Sequence, residues 1–249
     1  MAHNRILLIR HGKTPGNAEK RYIGRRTDEP LSAEGIEEAE RLKVRLKEVP
    51  EPGAAGIRVF TSPMTRAVQT AEILFGNAEI TKIKALEEMD FGEFEGKNSS
   101  EMETFPAYRD WIRSGGREPF PGGESRDAFV RRSFEGFLSI LDRCKEEETA
   151  AVVCHGGTIM AVMMSLTGEE YFSFMTDNLS GYLLETETEN ERVHLVSYHR
   201  FRCGDPDGLD HRGSALVSPS GAPDRSEYRL LGEEAVSVSG ERGEEKSGA

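Results

Sequence analysis

Cysteine is scarce in this sequence, and the few cysteines are far apart. Cys144, Cys154 and Cys203 are the only three in 249 residues, which is too few for the disulfide framework of a small secreted domain. No C-x-x-C pair predicts a zinc site, and no spacing is typical of a calcium loop or a nucleotide-binding P-loop. We therefore expect no metal, no cofactor and a reducing, cytoplasmic environment.

Long hydrophobic runs and a surplus of positive charge are also absent. No segment approaches the ~20 apolar residues that a membrane-spanning helix needs. The apolar run at residues 6–9 is too short for a signal peptide. The net charge of −12 argues against binding to nucleic acid or to an anionic membrane, since both require a basic face. An anionic substrate would need a local basic pocket.

What the sequence does contain is an alternation of short strands and amphipathic helices. Apolar runs predict buried strands at residues 6–9, 57–61, 79–83 and 150–154. Helical spacing predicts helices at residues 32–49, 63–74, 102–112, 125–141 and 158–166. Residues 182–185 and 193–197 are expected to form an antiparallel pair. This pattern predicts one α/β catalytic domain over residues 1–200, a three-layer sandwich with a mostly parallel central sheet flanked by helices.

The composition changes after about Phe201. The remaining residues are rich in glycine, proline and serine and contain no Phe or Trp that could start a core. We predict that residues 201–249 form a disordered or loosely attached tail. Deleting the residues after Phe201 is then expected to leave activity intact.

Two histidines follow predicted strands, each next to a glycine. Arg10-His11-Gly12 ends the first strand, and His155-Gly156 ends the strand at residues 150–154. A single histidine after a strand is more often structural than chemical, but two such histidines can converge at one edge of a parallel sheet. Together with Arg10 they would form a positively charged pocket that donates hydrogen bonds.

Further residues suit phosphate chemistry. Arg66 lies in the opening turns of a predicted helix, where the guanidinium, the backbone N–H groups and the helix dipole all favour an anion. Phosphoryl transfer also needs a proton for the leaving group. Five acidic residues lie in one glycine-rich segment, and the residue pattern selects none of them: Glu87, Glu88, Asp90, Glu93 and Glu95.

Four segments resemble the histidine phosphatase superfamily, the phosphoglycerate mutase-like proteins. They are residues 8–17, 61–71, 86–96 and 153–157, and their order and spacing also match. The resemblance covers roughly residues 4–200. It implies a metal-independent phosphomonoesterase that acts through a phosphohistidine on a small phosphorylated metabolite.

The resemblance also implies roles for individual residues. His11 would carry the phosphoryl group, and Glu88 would donate the proton and later deprotonate water. The phosphate-binding set implied by the family motifs is Arg10, Arg66, Asn17 and His155, with Gly156 beside them.

Some positions depart from the family pattern. Lys13 stands where many relatives have an acidic residue and Gly16 where they have an aromatic one, so the pocket rim is expected to be more basic and more open. Ile23 replaces a glutamine that often contacts phosphate. Residues 21–31 and, less specifically, residues 121–125 resemble the alpha-ribazole phosphatases of cobalamin assembly. A sugar or nucleoside phosphate is therefore expected as substrate, with alpha-ribazole 5′-phosphate first.

Two alternatives remain. A phosphoglycerate mutase uses the same pocket but returns the phosphoryl group to its substrate, and such enzymes resemble each other in a longer segment after the glutamate, with a lysine and paired arginines. Here Gly96 leads directly to Lys97 and a short helix, which favours the phosphatase. A non-catalytic binding or regulatory protein of this fold should have lost a catalytic group, whereas this chain keeps all of them. The sequence does not indicate an oligomeric state.

Overall fold

The strands form one seven-stranded sheet. The computed structural model describes residues 2–46, 57–146, 148–203 and 215–216. Its strands are β1 (Ala2–Arg10), β2 (Ile57–Thr61), β3 (Ile80–Lys82), β4 (Thr149–Cys154), β5 (Gly181–Glu189), β6 (Arg192–Phe201) and β7 (Ala215–Leu216). Their order across the sheet is β3-β2-β4-β1-β5-β6-β7.

Most of these strands run in one direction. β1, β4, β2 and β3 pair in parallel, whereas β5, β6 and β7 are added through antiparallel pairings. β6 therefore points the same way as β1, which gives five parallel strands among seven and confirms the predicted mostly parallel sheet. β5 and β6 are joined at Asn190 and Glu191, whose φ values of 48° and 62° are those of a two-residue turn that matches the strand twist.

Helices cover both faces of the sheet. They are α1 (Pro15–Ala18), α2 (Ala33–Leu46), α3 (Thr65–Phe75), α4 (Ser99–Met102), α5 (Pro106–Arg113), α6 (Arg126–Leu141) and α7 (Gly156–Thr167). In the described ranges no helix combines the length and the apolar character needed to cross a membrane.

The alternation of side chains along β1 creates two apolar cores. Ile6 and Leu8 pack with α6 and α7 on one face, whereas Leu7 and Ile9 pack with α2 and α3 on the other. Two helical layers around one sheet confirm the predicted three-layer α/β sandwich.

The predicted helix at residues 102–112 is wrong. The chain forms two shorter helices there, α4 and α5, because Pro106 has no N–H to donate and forces Phe105 into an extended conformation. In α2, Ile36 has the helical spacing of the buried residues Ala39 and Leu42, but it is 42% exposed. The expected helical residue Val49 lies outside the described residues.

The sheet continues past residue 200. Phe201 ends β6 and is buried, and β7 extends β6 through the pairs Ser197–Leu216 and Tyr198–Ala215. Phe201, Ala215 and Leu216 fall in the predicted tail and belong to the sheet. Residues 204–214 and 217–249 lie outside the described residues, so the tail remains a prediction there.

Candidate active site

The parallel pairing of β1 and β4 brings His11 and His155 together. Arg10 lies opposite Cys154 in the register, so that each histidine is the first residue after its strand. The His11 N–H donates to the Cys154 carbonyl at 2.9 Å. The two imidazole rings lie edge to face with centroids 5.2 Å apart.

The His11 ring presents a neutral imidazole to a cavity. Its Nδ1 lies 2.7 Å from the Gly12 carbonyl oxygen, and because a carbonyl can only accept, the proton is on Nδ1 and the lone pair is on Nε2. Burial lowers the pKa of His11 well below 6.5, and the charges of Arg66 and Arg10 lower it further. The Gly12 N–H donates to Thr70 Oγ1 at 3.0 Å, which fixes this loop against α3. Nε2 is thus an available nucleophile near neutral pH.

His155 is held in the opposite tautomer by Ser62. His155 Nε2 lies 2.8 Å from Ser62 Oγ, and that oxygen already accepts the Met64 N–H at 3.3 Å. Among the described residues the ring nitrogen is the acceptor within reach of the Ser62 hydroxyl, so Ser62 donates to it. Burial, followed by the charge of Arg66, lowers the pKa of His155 well below 6.5, which leaves one proton, on Nδ1. That N–H has no partner among the described residues and can donate to an anion.

The two arginines differ in how they reach the site. Arg10 lines the cavity; its Nη1 donates to the Thr176 carbonyl at 2.6 Å and its Nε has no partner. Arg66 is completely buried and is not among the residues that line the cavity. Its Nη atoms donate to the carbonyls of Ile23, Gly24 and Thr27. The guanidinium N–H groups that were expected to bind phosphate are therefore already bonded to the backbone. Its unpaired Nε and its charge remain for an anion.

The structure separates Glu88 from the other acidic residues of its segment. Glu87 and Asp90 pair with arginines, Glu95 accepts the N–H groups of Gly24 and Arg26, and Glu93 is exposed. Among the described residues, Glu88 is the carboxyl that lines the cavity.

Burial raises the pKa of Glu88. Two backbone donors oppose this rise: the Met89 N–H at 2.9 Å and the Gly157 N–H at 3.1 Å, with Arg66 and Arg10 acting in the same direction, but desolvation is the largest effect. A Cβ on Gly157 would lie 2.3 Å from Glu88 Oε1, so the close approach requires glycine. The carboxyl is therefore suited to donate a proton.

Sequence reasoning missed Arg132 of α6, which holds the Glu88 segment in place. Its guanidinium donates to both carboxylate oxygens of Glu124, each at 2.8 Å. It also donates to the carbonyls of Ala85, Glu87 and Glu88. No motif marks Arg132. The signal available in the sequence was its position in the predicted helix at residues 125–141, and the structure shows that it faces the acidic segment.

Asn178 was missed as well, because it lies in a loop without periodicity. Its Nδ2 donates to the His11 carbonyl at 2.9 Å and to Asn17 Oδ1 at 3.1 Å. Asn17 Oδ1 also accepts the Thr14 N–H, which leaves the Asn17 amide NH₂ as a donor. Asn17, Asn178 and Gly156 all line the cavity.

The expected changes at the rim are wrong in two respects. Lys13 is turned away to α2, where its Nζ pairs with Glu34 at 2.7 Å and Glu38 at 2.8 Å, so it adds no basic group to the cavity. Gly16 does not open the rim, since a Cβ there would meet the Ile23 side chain at 2.4 Å. Ile23 itself lines the cavity and is apolar at the position of the expected glutamine.

The cavity has a volume of about 590 Å³. Within the described residues, no group of three or more His, Cys, Asp and Glu side chains is placed to hold a metal ion. Cys154 is buried at the end of β4, and burial raises the pKa of its thiol, which fits a buried strand residue and not a nucleophile.

Comparison with known proteins gives a family for this arrangement. The model of the histidine phosphatase superfamily (branch 1) matches residues 6–199. A 2,3-bisphosphoglycerate-dependent phosphoglycerate mutase 2 of Gloeobacter violaceus is 33% identical over 65% of this chain and 74% of its own. The adenosylcobalamin/alpha-ribazole phosphatase of Salmonella typhimurium is 29% identical over 65% of this chain and 79% of its own.

A solved structure shows the same fold at similar coverage. The alpha-ribazole phosphatase of Shigella flexneri has a TM-score of 0.64 and 26% identity, covering 77% of this chain and 94% of that one. The family match extends from β1 to β6 and includes both histidines, Arg66 and Glu88. The chain belongs to the histidine phosphatase superfamily, whose members are phosphatases and mutases.

Proposed function

We propose that this protein is a phosphomonoesterase that transfers the phosphoryl group of its substrate to His11 Nε2 and then to water. One observation carries the proposal: a neutral His11 with its Nδ1 tied to the Gly12 carbonyl lines the same cavity as a buried carboxyl whose pKa is raised. A nucleophile and a general acid are thereby available together.

In the first step, the His11 Nε2 lone pair forms a bond to phosphorus, and the bond from phosphorus to the ester oxygen breaks. Glu88 gives its proton to that oxygen, so the product leaves as a neutral alcohol. In the second step, the Glu88 carboxylate takes a proton from water. The resulting hydroxide attacks phosphorus, the N–P bond breaks, and inorganic phosphate leaves with His11 restored.

Positive charge and N–H donors around His11 support this chemistry. Arg10 and Arg66 supply the charge that the transferred phosphoryl group needs in the transition state. The unpaired His155 Nδ1–H and the Asn17 amide are further donors to its oxygens. We propose that these groups, with Gly156 at the start of α7, bind the phosphate without a metal ion.

A small phosphorylated metabolite is the proposed substrate. Relatives named alpha-ribazole phosphatase support alpha-ribazole 5′-phosphate as the first compound to test. A sugar or another nucleoside phosphate would use the same phosphate site.

A phosphoglycerate mutase is the second candidate, and the curated relative from Gloeobacter violaceus supports it. Two residues of the cap, the segment from Gly96 to Glu124 that contains α4 and α5, weigh against it. Lys97 donates to the Glu93 carbonyl, and Arg113 is an exposed partner of Asp110. Neither lines the cavity in the described part of the chain, so neither is placed to bind a sugar-acid carboxylate.

Phosphate release from a panel of phosphomonoesters in the presence of a chelator tests the proposal, with wild type beside His11→Ala. We expect turnover that resists the chelator and is lost in the variant. Mutase activity is measured in parallel with phosphoglycerates. Isomerisation of phosphoglycerate without phosphate release from any ester would contradict the phosphatase assignment.

A further inference from the structure

The cavity extends from His11 into a part that phosphoryl transfer does not use. Six aromatic residues line it: Tyr22, Phe91, Trp111, Phe120, Tyr171 and Phe172. Their rings contact one another, with centroids 4.9 Å apart for Trp111 and Phe120 and 5.1 Å apart for Phe91 and Phe120. This aromatic wall is built by loops and by α5, outside the central sheet.

Trp111 and Phe172 come together at Gly116. A Cβ on this buried glycine would lie 3.2 Å from Trp111 Cζ2 and 3.3 Å from Phe172 Cζ. The Trp111 ring of α5 and the Phe172 ring of the turn Tyr171–Phe174 therefore both lie close to Gly116. Phe172 is nevertheless 45% exposed, so part of its ring is open to a ligand in the cavity that it lines.

The charges around the cavity restrict the ligand further. In the described ranges, Glu88 is the sole carboxyl on the wall, whereas Lys20 and Arg126 add positive charge. Arg21 also lines the cavity, but it is paired with Glu19 and Glu101. An ammonium group on the substrate would face these cations without a carboxylate partner other than Glu88, whose pKa is raised. The wall thus disfavours phosphorylated amines and amino acids.

The size of the cavity favours a substrate that carries a ring. Its volume of about 590 Å³ falls within the ~300–1,000 Å³ of sites that hold drug-sized ligands. A three-carbon phosphoglycerate would leave the aromatic wall in contact with water, whereas a ring-bearing ester would cover it.

We propose that the substrate is a phosphomonoester whose alcohol part carries an uncharged aromatic ring, which stacks against Trp111 and Phe172 while the phosphate lies at His11. The phosphate end of this assignment rests on the proposed function. The aromatic end selects among phosphate esters: it accepts arylalkyl and heteroaromatic alcohols and disfavours phosphorylated amines.

A binding experiment tests the aromatic end without any hydrolysis. Phosphonates cannot be hydrolysed by this route, so 2-phenylethylphosphonate and ethylphosphonate can be compared by calorimetry. Trp111 is the only tryptophan in the chain, and its fluorescence reports whether the phenyl ring reaches the wall. We expect a Kd about five- to tenfold lower for the phenylethyl compound, the size of one aromatic contact, with a fluorescence change. Equal Kd values would overturn the proposal.

Two leucine variants locate the preference. Phe172→Leu should abolish most of the difference in Kd between the two phosphonates. Phe105→Leu is the matched control, because Phe105 is a cap aromatic that is 39% exposed and does not line the cavity. A preference that survives Phe172→Leu, or disappears in Phe105→Leu, would contradict the assigned wall.

Hydrolysis of the matching phosphates separates this inference from the proposed function. 2-Phenylethyl phosphate and ethyl phosphate have leaving groups of the same class, so a difference in kcat/KM reports the body of the substrate. If both are hydrolysed equally well, the aromatic proposal fails and the phosphatase stands. If neither is hydrolysed while the phenylethylphosphonate still binds preferentially, the phosphatase fails and the aromatic site stands.

Discussion

The opposite pKa shifts of His11 and Glu88 determine the pH range in which the site can act. With ordinary values, imidazole is neutral only above about 6.5 and a glutamic acid is protonated only below about 4.3, so the two reactive forms would hardly coexist. Burial lowers the pKa of His11 and raises that of Glu88. Both shifts bring the pH ranges of the neutral nucleophile and the protonated acid closer together.

This balance predicts a bell-shaped profile of kcat/KM against pH for alkyl phosphates. Activity should fall on the acid side as His11 is protonated and on the alkaline side as Glu88 loses its proton. Glu88→Gln should lower kcat by about 10²–10⁴-fold and remove the alkaline limb. Glu93→Gln, an exposed acid of the same segment, is the control. An alkaline limb that persists in Glu88→Gln would assign it to another group.

At the residue scale, the sequence predicted the catalytic residues better than it predicted the contacts between residues. The residues around both histidines and Glu88 form motifs, so the resemblance could select them. Ser62 lies within the motif at residues 61–71, but its bond to His155 depends on where two distant strands end. Asn178 belongs to no motif or periodic pattern, and only the folded loop places it against the His11 carbonyl.

At the scale of elements, α6 is tied to the Glu88 segment by Arg132. The side chain makes a two-bond ion pair with Glu124 and donates to three carbonyls, and both partners of the ion pair are mostly buried. Replacing it leaves a buried carboxylate and several carbonyls without a donor.

Arg132→Ala is therefore expected to lower the free energy of unfolding by about 2–4 kcal/mol and to lower kcat through misplacement of Glu88. Arg113→Ala is the matched control, since its ion pair with Asp110 is 74% and 65% exposed and surface pairs contribute about 0.2–1 kcal/mol. Urea denaturation checks both variants. Equal losses in the two would show that Arg132 is not a structural tie.

Elements with strong local signals were predictable. The β2 bounds agree with the sequence, and β4 and α6 differ from it by one residue, because apolar runs and the N-cap Ser125 mark them. The cap could not be read so well: its helices are short, and Pro106 divides a pattern that looks continuous. The aromatic wall combines loops with α5, and no periodicity connects these segments.

At the scale of the whole molecule, the two buried histidines make stability depend on pH. Both have pKa values well below 6.5 in the folded protein, whereas the unfolded chain binds their protons near the ordinary value of about 6.5. Between the lowered folded values and 6.5, the unfolded state therefore holds more protons. The two histidines therefore contribute a rise in the free energy of unfolding with pH across that interval, which levels off above it. Glu88, whose pKa is raised, contributes a fall in the opposite direction.

The expected slope is about 1.4 kcal/mol per pH unit for each buried histidine. His155→Asn should remove the share of one histidine from the slope below pH 6.5, whatever its effect on stability at neutral pH. Chemical denaturation at a series of pH values measures this. An unchanged slope in the variant would mean that His155 is protonated in the folded state.

The most direct measurement for the central claim is to trap the phosphoryl group on His11. Wild type is mixed with substrate, quenched in base within one turnover, and mapped by peptide mass spectrometry, since phosphohistidine survives base but not acid. The phosphoryl group should be found on the peptide with His11, appear before inorganic phosphate and be absent from His11→Ala. Phosphate release at the wild-type rate by His11→Ala would contradict it.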